Sequence, residues 1–224
     1  MKQGNKSSTT TEDFNQIATK NSKLVYRFIK RCLDIIGAVV GIVILSPVFL
    51  ITAILVKLCS KGPIFYAHKR IGKDGKLFNI YKYRTMVINA EEVLKNMNEE
   101  MKKEFEKNFK LDNDPRITPV GKILRITSID ELPQLINILT GEMSIVGPRP
   151  IITDELKKYG DNAKKLVTVK PGLTGYWQAN GRSNTTYEER VQMDMYYIDN
   201  RGLWMDIKII FQTAVSVFRK EGAM

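Results

Sequence analysis

The sequence is poor in the residues that build metal centres and disulfide frameworks: its 224 residues include one histidine and two cysteines. His68 has no histidine partner and no thiol nearby in the chain, so it reads as a polar strand residue and not as a metal ligand. Cys32 and Cys59 flank an apolar run and read as small interfacial residues. They imply no disulfide framework, and a reduced, cytoplasm-facing body is the default. No segment has the spacing of a nucleoside-triphosphate phosphate loop or of a dinucleotide fingerprint. No internal repeat is visible. No cleavable leader is expected, because the apolar run starts too late and no small-residue cleavage site follows it. Acidic residues are also in deficit, with 24 Asp and Glu against 35 Lys and Arg and a formal net charge of +11. That excess calls for an anionic partner: nucleic acid, an acidic membrane surface or a phosphorylated substrate. Nucleic acid is disfavoured, since no recognition helix or aromatic-basic alternation accompanies the charge.

What is present begins with enough apolar material, 43% of residues, to bury a core. The length suits one domain, or one domain plus an anchor. Residues 1–22 are polar and are expected to form a mobile tail. From Ile35 to Val56 there are 22 consecutive residues without a charge. As a helix this is ~33 Å long, enough to cross a bilayer core. A single span is one reading. Two features favour a helix that enters one leaflet and returns. Ser46-Pro47 sits mid-run, where proline removes a backbone bond and bends a helix. Both flanks are basic, with Lys23, Arg27, Lys30 and Arg31 before the run and Lys57, Lys61, Lys69 and Arg70 after it; positive flanks stay on the cytoplasmic side.

Pro63–Arg70 and Lys76–Tyr83 have strand composition and enclose Lys73-Asp74-Gly75, which predicts a β-hairpin. Residues 89–108 predict one charged helix. Shorter helices are expected at 128–140, 152–166, 186–198 and 204–220, the last amphipathic and suited to a membrane interface. The expected fold is α+β and mostly helical: a polar tail (1–22), a re-entrant membrane helix hairpin (23–60) kinked at Ser46-Pro47, and a small cytoplasmic catalytic domain (61–224) with a β-hairpin and interfacial amphipathic helices.

The chemistry-bearing segment is Ser128-Ile129-Asp130-Glu131-Leu132-Pro133-Gln134, two adjacent carboxylates opening a helix. One reading is a cap: acids suit helix N-termini, and Ser128 and Glu131 have capping-box spacing. The other uses the same field to keep an aspartate ionised for attack on phosphorus. Adjacent helical residues point about 100° apart, so one carboxylate would attack while the other holds Mg²⁺. Arg125 precedes the pair, Lys82 and Arg84 end the hairpin, and Arg149 is held between Pro148 and Pro150. These are cations of the type that grip phosphates. Lys69, Arg70 and Lys122 read as solvated or membrane-facing charges. Pro171–Arg182 is a glycine-rich loop whose Trp177 and Gln178 suit stacking and hydrogen bonding to a base or sugar; Trp177 at a membrane interface is the alternative. Asp112-Asn113-Asp114 is read as a turn before Pro115, with a metal-binding acid pair as the alternative. Asp194 and Asp206 read as helix caps or surface charges, with the case for Asp206 evenly balanced.

Taken together, these segments resemble the bacterial sugar transferases, the monotopic polyprenol phosphate phosphoglycosyl transferases that start capsule, O-antigen and exopolysaccharide assembly. The resemblance rests on Lys30-Arg31-Cys32-Leu33-Asp34, Leu45-Ser46-Pro47, Gly62-Pro63-Ile64-Phe65, Tyr81–Met86, Asp114–Thr118, Leu124-Arg125, Ser128–Leu135, Gly141–Pro150 and Pro171–Gly181, in family order. Tyr83 and His68 stand where Phe and Gln are common. The resemblance implies an enzyme at the cytoplasmic face of the bacterial plasma membrane that moves a hexose-1-phosphate from a UDP-sugar to polyprenyl phosphate and releases UMP. It implies Asp130 as nucleophile and Glu131 as the Mg²⁺ residue. It also implies substrate contacts from Lys82, Arg84, Arg125, Pro148, Arg149, Gln178 and Asp206. Membrane lipids and downstream glycosyltransferases are the further partners implied, with no nucleic acid. A glycosyltransferase that leaves the phosphate behind and a non-enzymatic membrane assembly protein are the competing readings.

Overall fold

The computed structural model describes residues 11–108, 111, 113–181 and 185–218, and is mostly helical with two small sheets. Helix α1 (Thr11–Ile44) and helix α2 (Ser46–Cys59) carry the apolar run and are bent by 63° at Leu45. The break has a local cause. Pro47 lacks the N–H that would continue the ladder, and the Ser46 hydroxyl donates to the Val43 carbonyl at 2.8 Å. No single helix among the described residues is long and apolar enough to cross a membrane, but the bent pair meets that test together. Of the segment expected to be a polar tail, residues 1–10 lie outside the described part, and 11–22 are helical and continuous with α1.

The hairpin forms as expected from β1 (Phe65–Ile71) and β2 (Leu77–Tyr83), antiparallel, with Asp74 and Gly75 at positive φ in the turn. Strand alternation puts Phe78, Ile80 and Lys82 on one face. The first two are buried, and Lys82 carries that row out to the site. The charged helix is broken into α3 (Ala90–Lys95) and α4 (Glu99–Asn108). Helix α5 (Pro119–Ile126) starts with Pro119 and a Thr118 cap, whose Oγ1 accepts from Gly121 N at 3.0 Å. Helix α6 is shorter than expected, Gln134–Thr140.

Two three-residue strands, β3 (Ser144–Val146) and β4 (Gly172–Thr174), pair in parallel. The stretch expected to be one helix at 152–166 is α7 (Thr153–Leu156), a 3-10 segment and α8 (Ala163–Leu166). After α9 (Tyr176–Asn180) come α10 (Tyr187–Asn200) and α11 (Leu203–Phe218). On α11, Trp204 and Phe211 are 79% and 70% exposed.

The apolar pair is part of the core. Ala38, Ile42 and Phe49 pack with Phe78, Ile80, Leu135, Ile138 and Met143. Val56 and Ala53 pack with Tyr83 and Leu124. A third cluster joins Val146, Ile151, Tyr159, Leu166, Val191, Tyr197 and Ile209. The Lys-Arg-x-x-Asp segment of α1 makes the polar joints. Lys30 pairs with Asp206 at 2.9 Å. Arg31 donates to the Ile138 and Leu139 carbonyls at the end of α6. Asp34 accepts from Ser144 Oγ and Ile145 N at 3.0 and 2.9 Å.

Candidate active site

Asp130 lies in a single 3-10 turn, Ile129–Glu131, between α5 and α6. Ser128 before it has φ +56°, a left-handed conformation that reverses the chain. No side-chain cap bond is made by Ser128 at this turn or by Pro133 at the start of α6, so the capping-box reading fails.

The two carboxylates are set apart electrostatically. Asp130 is 6% exposed. Burial pushes its carboxyl up to about 6; Lys82 opposes the rise, Glu131 adds to it and Arg125 opposes it. Burial also works against the Glu131 charge, but Lys82, then Arg149, outweigh it and hold that carboxyl below the usual range. The Lys82 ammonium lies 2.5 Å from Glu131 Oε1. Arg125 is fixed by its Nε–H donating to Thr85 Oγ1 at 3.0 Å.

A depression adjoins the pair, lined by Arg70, Lys82, Glu131, Gln134, Arg149 and Gln178, among others. Arg149 is exposed between buried Pro148 and Pro150. The turn is held by backbone: Gly147 N donates to the Thr174 carbonyl at 2.9 Å, and Gly172 N to the Pro148 carbonyl at 2.8 Å. Of the expected site residues, Lys82, Glu131, Arg149 and Gln178 are brought together here, with Asp130, Arg125 and Pro148 adjacent.

Arg84 and Asp206 are not brought into the depression. Arg84 turns to the foot of α2 and donates to Ser60 O and Oγ. Asp206 is buried and accepts from Tyr26, Lys30 and Tyr197, which ties α11 to α1. Asp194, expected as a cap or surface charge, is fully buried and accepts from the Tyr159 hydroxyl at 2.8 Å. Trp177 is buried with the Arg190 guanidinium over its ring at 4.8 Å, which removes it from a membrane interface. Asp112 and Arg182 lie outside the described residues. Asp114 is bidentate with Arg116 at 2.8 and 2.6 Å, so the turn reading holds for it.

In sequence Arg70 reads as a solvated or membrane-facing charge; the structure instead puts it in the lining of the depression. Its Nη1 donates to the Pro150 carbonyl and to Glu155 Oε1, both at 3.3 Å. The register was the available signal: a turn at 73–75 pairs Arg70 with Phe78, on the face that carries Lys82.

A family model described as bacterial sugar transferase matches residues 25–220. The chain belongs to the bacterial sugar transferase family. It is 47% identical over 212 residues to the undecaprenyl-phosphate galactose phosphotransferase of Salmonella typhimurium, an alignment covering 93% of this chain and 44% of that protein. It is 44% identical over 197 residues to the exopolysaccharide production protein ExoY of Rhizobium meliloti, covering 87% of each. It is 39% identical over 208 residues to the UDP-glucose:undecaprenyl-phosphate glucose-1-phosphate transferase of Escherichia coli, covering 89% of this chain and 42% of that one. The chain therefore spans less than half of the Salmonella and Escherichia relatives and most of the Rhizobium one.

Proposed function

We propose that this bacterial sugar transferase moves a hexose-1-phosphate from a UDP-sugar to polyprenyl phosphate, through a covalent intermediate on Asp130. The observation that carries the proposal is the pair of adjacent carboxylates with opposed settings, beside a depression rimmed by cations. The names of the Salmonella and Escherichia relatives support the substrate class. A carboxyl at about 6 is largely ionised at neutral pH and, being poorly solvated, is a better nucleophile than one in water.

In the first step an Asp130 oxygen bonds to the β-phosphorus. The bond from that phosphorus to the bridging oxygen breaks, its electron pair stays on the α-phosphate, and UMP leaves. In the second, an oxygen of polyprenyl phosphate bonds to the same phosphorus, and the acyl-phosphate bond breaks to restore the Asp130 carboxylate. The product is a polyprenyl diphosphate sugar, which enzymes that extend glycans then consume. Lys82, Arg125 and Arg149 bind and orient the phosphates.

A divalent cation fits the residues present. Among the described residues no group of three or more His, Cys, Asp or Glu converges, but Mg²⁺ with a nucleotide needs only one or two carboxylates beside the phosphates. Glu131 is held ionised, with Lys82 on Oε1 and no described hydrogen bond on Oε2. Bound there, Mg²⁺ would supply neutralisation of the diphosphate charge. The test is incubation with UDP-sugars and polyprenyl phosphate: UMP release is expected. Release of UDP would instead favour a glycosyltransferase that leaves the phosphate behind.

The membrane segment is proposed to be re-entrant, with the body on the cytoplasmic face. The 63° bend, the exposed apolar sides of both helices and the basic flanks support this. Leu24→Cys and the native Cys59 bracket the pair. In a Cys32→Ser background, an impermeant maleimide is expected to label both sites in inverted vesicles and neither in intact spheroplasts. Labelling on opposite sides would mean a full span.

A further inference from the structure

The depression beside Glu131 contains polar atoms that the protein leaves idle. Gln134 is 2% exposed, yet its Nε2 has no hydrogen-bond partner. Arg70 Nε and Gln178 Oε1 are buried and idle as well. All three residues line this one depression with Lys82, Glu131 and Arg149. Buried donors and acceptors are almost always satisfied, and an idle one marks either strain or a missing ligand. The two amides do not satisfy each other. Gln178 is oriented by its Nε2, which donates to the Leu173 carbonyl at 3.5 Å and leaves the oxygen as the idle atom. Arg70 is fixed by its Nη1 bonds to Pro150 and Glu155, with Nε left over.

The idle set specifies the chemistry of its occupant. Two N–H donors, one from a guanidinium, call for anionic oxygens. Four cations, Arg70, Lys82, Arg125 and Arg149, against three carboxylates, Asp130, Glu131 and Glu155, leave the surroundings positive, as an anion requires. The Gln178 oxygen calls for a donor, which the ionised oxygens of a diphosphate lack and the hydroxyls of a nucleotide sugar supply. We propose that Gln134 Nε2 and Arg70 Nε hold oxygens of the diphosphate of the nucleotide sugar, and that Gln178 Oε1 accepts from a hydroxyl of the same molecule. This rests on the UDP-sugar reading and adds Gln134 and Arg70 to the substrate contacts. Gln134 opens α6 three residues after Glu131, so the donor is carried on the chain segment that presents the carboxylate pair.

The test measures UDP binding in the presence of Mg²⁺, by calorimetry on the full chain in nanodiscs. UDP carries both phosphates and no sugar to transfer. Gln134→Met keeps the volume and removes the donor; Gln134→Glu also places a negative charge in the seat. The Met variant is expected to bind UDP roughly tenfold more weakly and the Glu variant more weakly still. The ligand-free Met variant is expected to melt no lower than the parent, because the donor it loses has no partner. Unchanged UDP affinity in both variants would overturn the proposal. So would a Met variant whose melting temperature falls together with its affinity, which is the mark of a packing role. UDP binding is read without turnover, so a parent protein that releases no UMP would sink the transfer reaction and leave this measurement standing.

Discussion

Replacing Asp130 with Asn is expected to slow UMP release by about a thousandfold or more and to abolish accumulation of a sugar phosphate on the protein, without loss of the fold. The amide is nearly the same size as the carboxyl and sits at a position 6% exposed, so packing is preserved. What it lacks is the anionic oxygen. Neither neighbour can take its place. Glu131 is a residue further along a 3-10 turn, so it points elsewhere, and its Oε1 is held by Lys82. Asp114 is bound on both oxygens by Arg116. The measurement is UMP release from a UDP-sugar with and without polyprenyl phosphate, joined to intact-mass analysis of the protein after a short pulse. Turnover within tenfold of the parent, or a retained mass increase, would take Asp130 out of the nucleophile's position.

Gly172→Ala is expected to cost the protein much of its stability. A Cβ there would lie 2.1 Å from Gly147 N, 2.3 Å from Thr174 O and 2.7 Å from Gly147 Cα. All three are backbone atoms, so no side chain can move aside. Strands β3 and β4 would have to part, weakening the bonds from Ser144 N to Pro171 O, from Gly147 N to Thr174 O and from Gly172 N to Pro148 O. Overpacking costs about 1–3 kcal/mol, and each backbone bond adds about 0.5–1.5 kcal/mol. A loss of roughly 3 kcal/mol or more is therefore expected. The same strands position Arg149 and Gln178, so UDP affinity should fall even where the variant is still folded. Gly202→Ala is the control, since nothing lies within 4 Å of its added carbon. Thermal melting and UDP binding check both; equal melting temperatures for the two variants would show that the strands separate at little cost.

These cases also mark what the sequence discloses. The hairpin was readable because alternation and a Lys-Asp-Gly turn are local signals, and the bend because Ser46-Pro47 acts on its own helix. The break between α3 and α4 carries no glycine or proline and was missed. Strands β3 and β4 are three residues each and exist only because Gly147 and Gly172 allow two backbones to touch, a tertiary fact. The carboxylate pair is legible in the sequence, but the competing helix-cap reading is excluded only by the structure, where Ser128 is left-handed and makes no cap bond. Arg84 looks like a phosphate-site residue in sequence, and Asp206 is a substrate contact only by the family resemblance; in the structure they hold α2 and α11. Arg70 and Gln134 give the reverse case: what marks them is a buried nitrogen left without a hydrogen bond, Nε in one and Nε2 in the other, which no sequence pattern records.

The packing of α1 and α2 into the core bears on how the chain is made. Ile42, Phe49, Ala53 and Val56 complete two of the three apolar clusters. Val56 is fully buried there and Ile42, Phe49 and Ala53 partly so; at about 1.5–3 kcal/mol for full burial of a large side chain and less for partial burial, together they matter against a net stability of about 5–15 kcal/mol. The body from residue 61 onward therefore does not contain its own complete core, and a boundary between anchor and catalytic domain at residue 60 divides a single folding unit. The apolar pair leaves the ribosome before the rest of this body. The hairpin, α5 and α6, which must cover its inner face, emerge later, so the early helices serve as the template on which the rest of the nascent chain condenses.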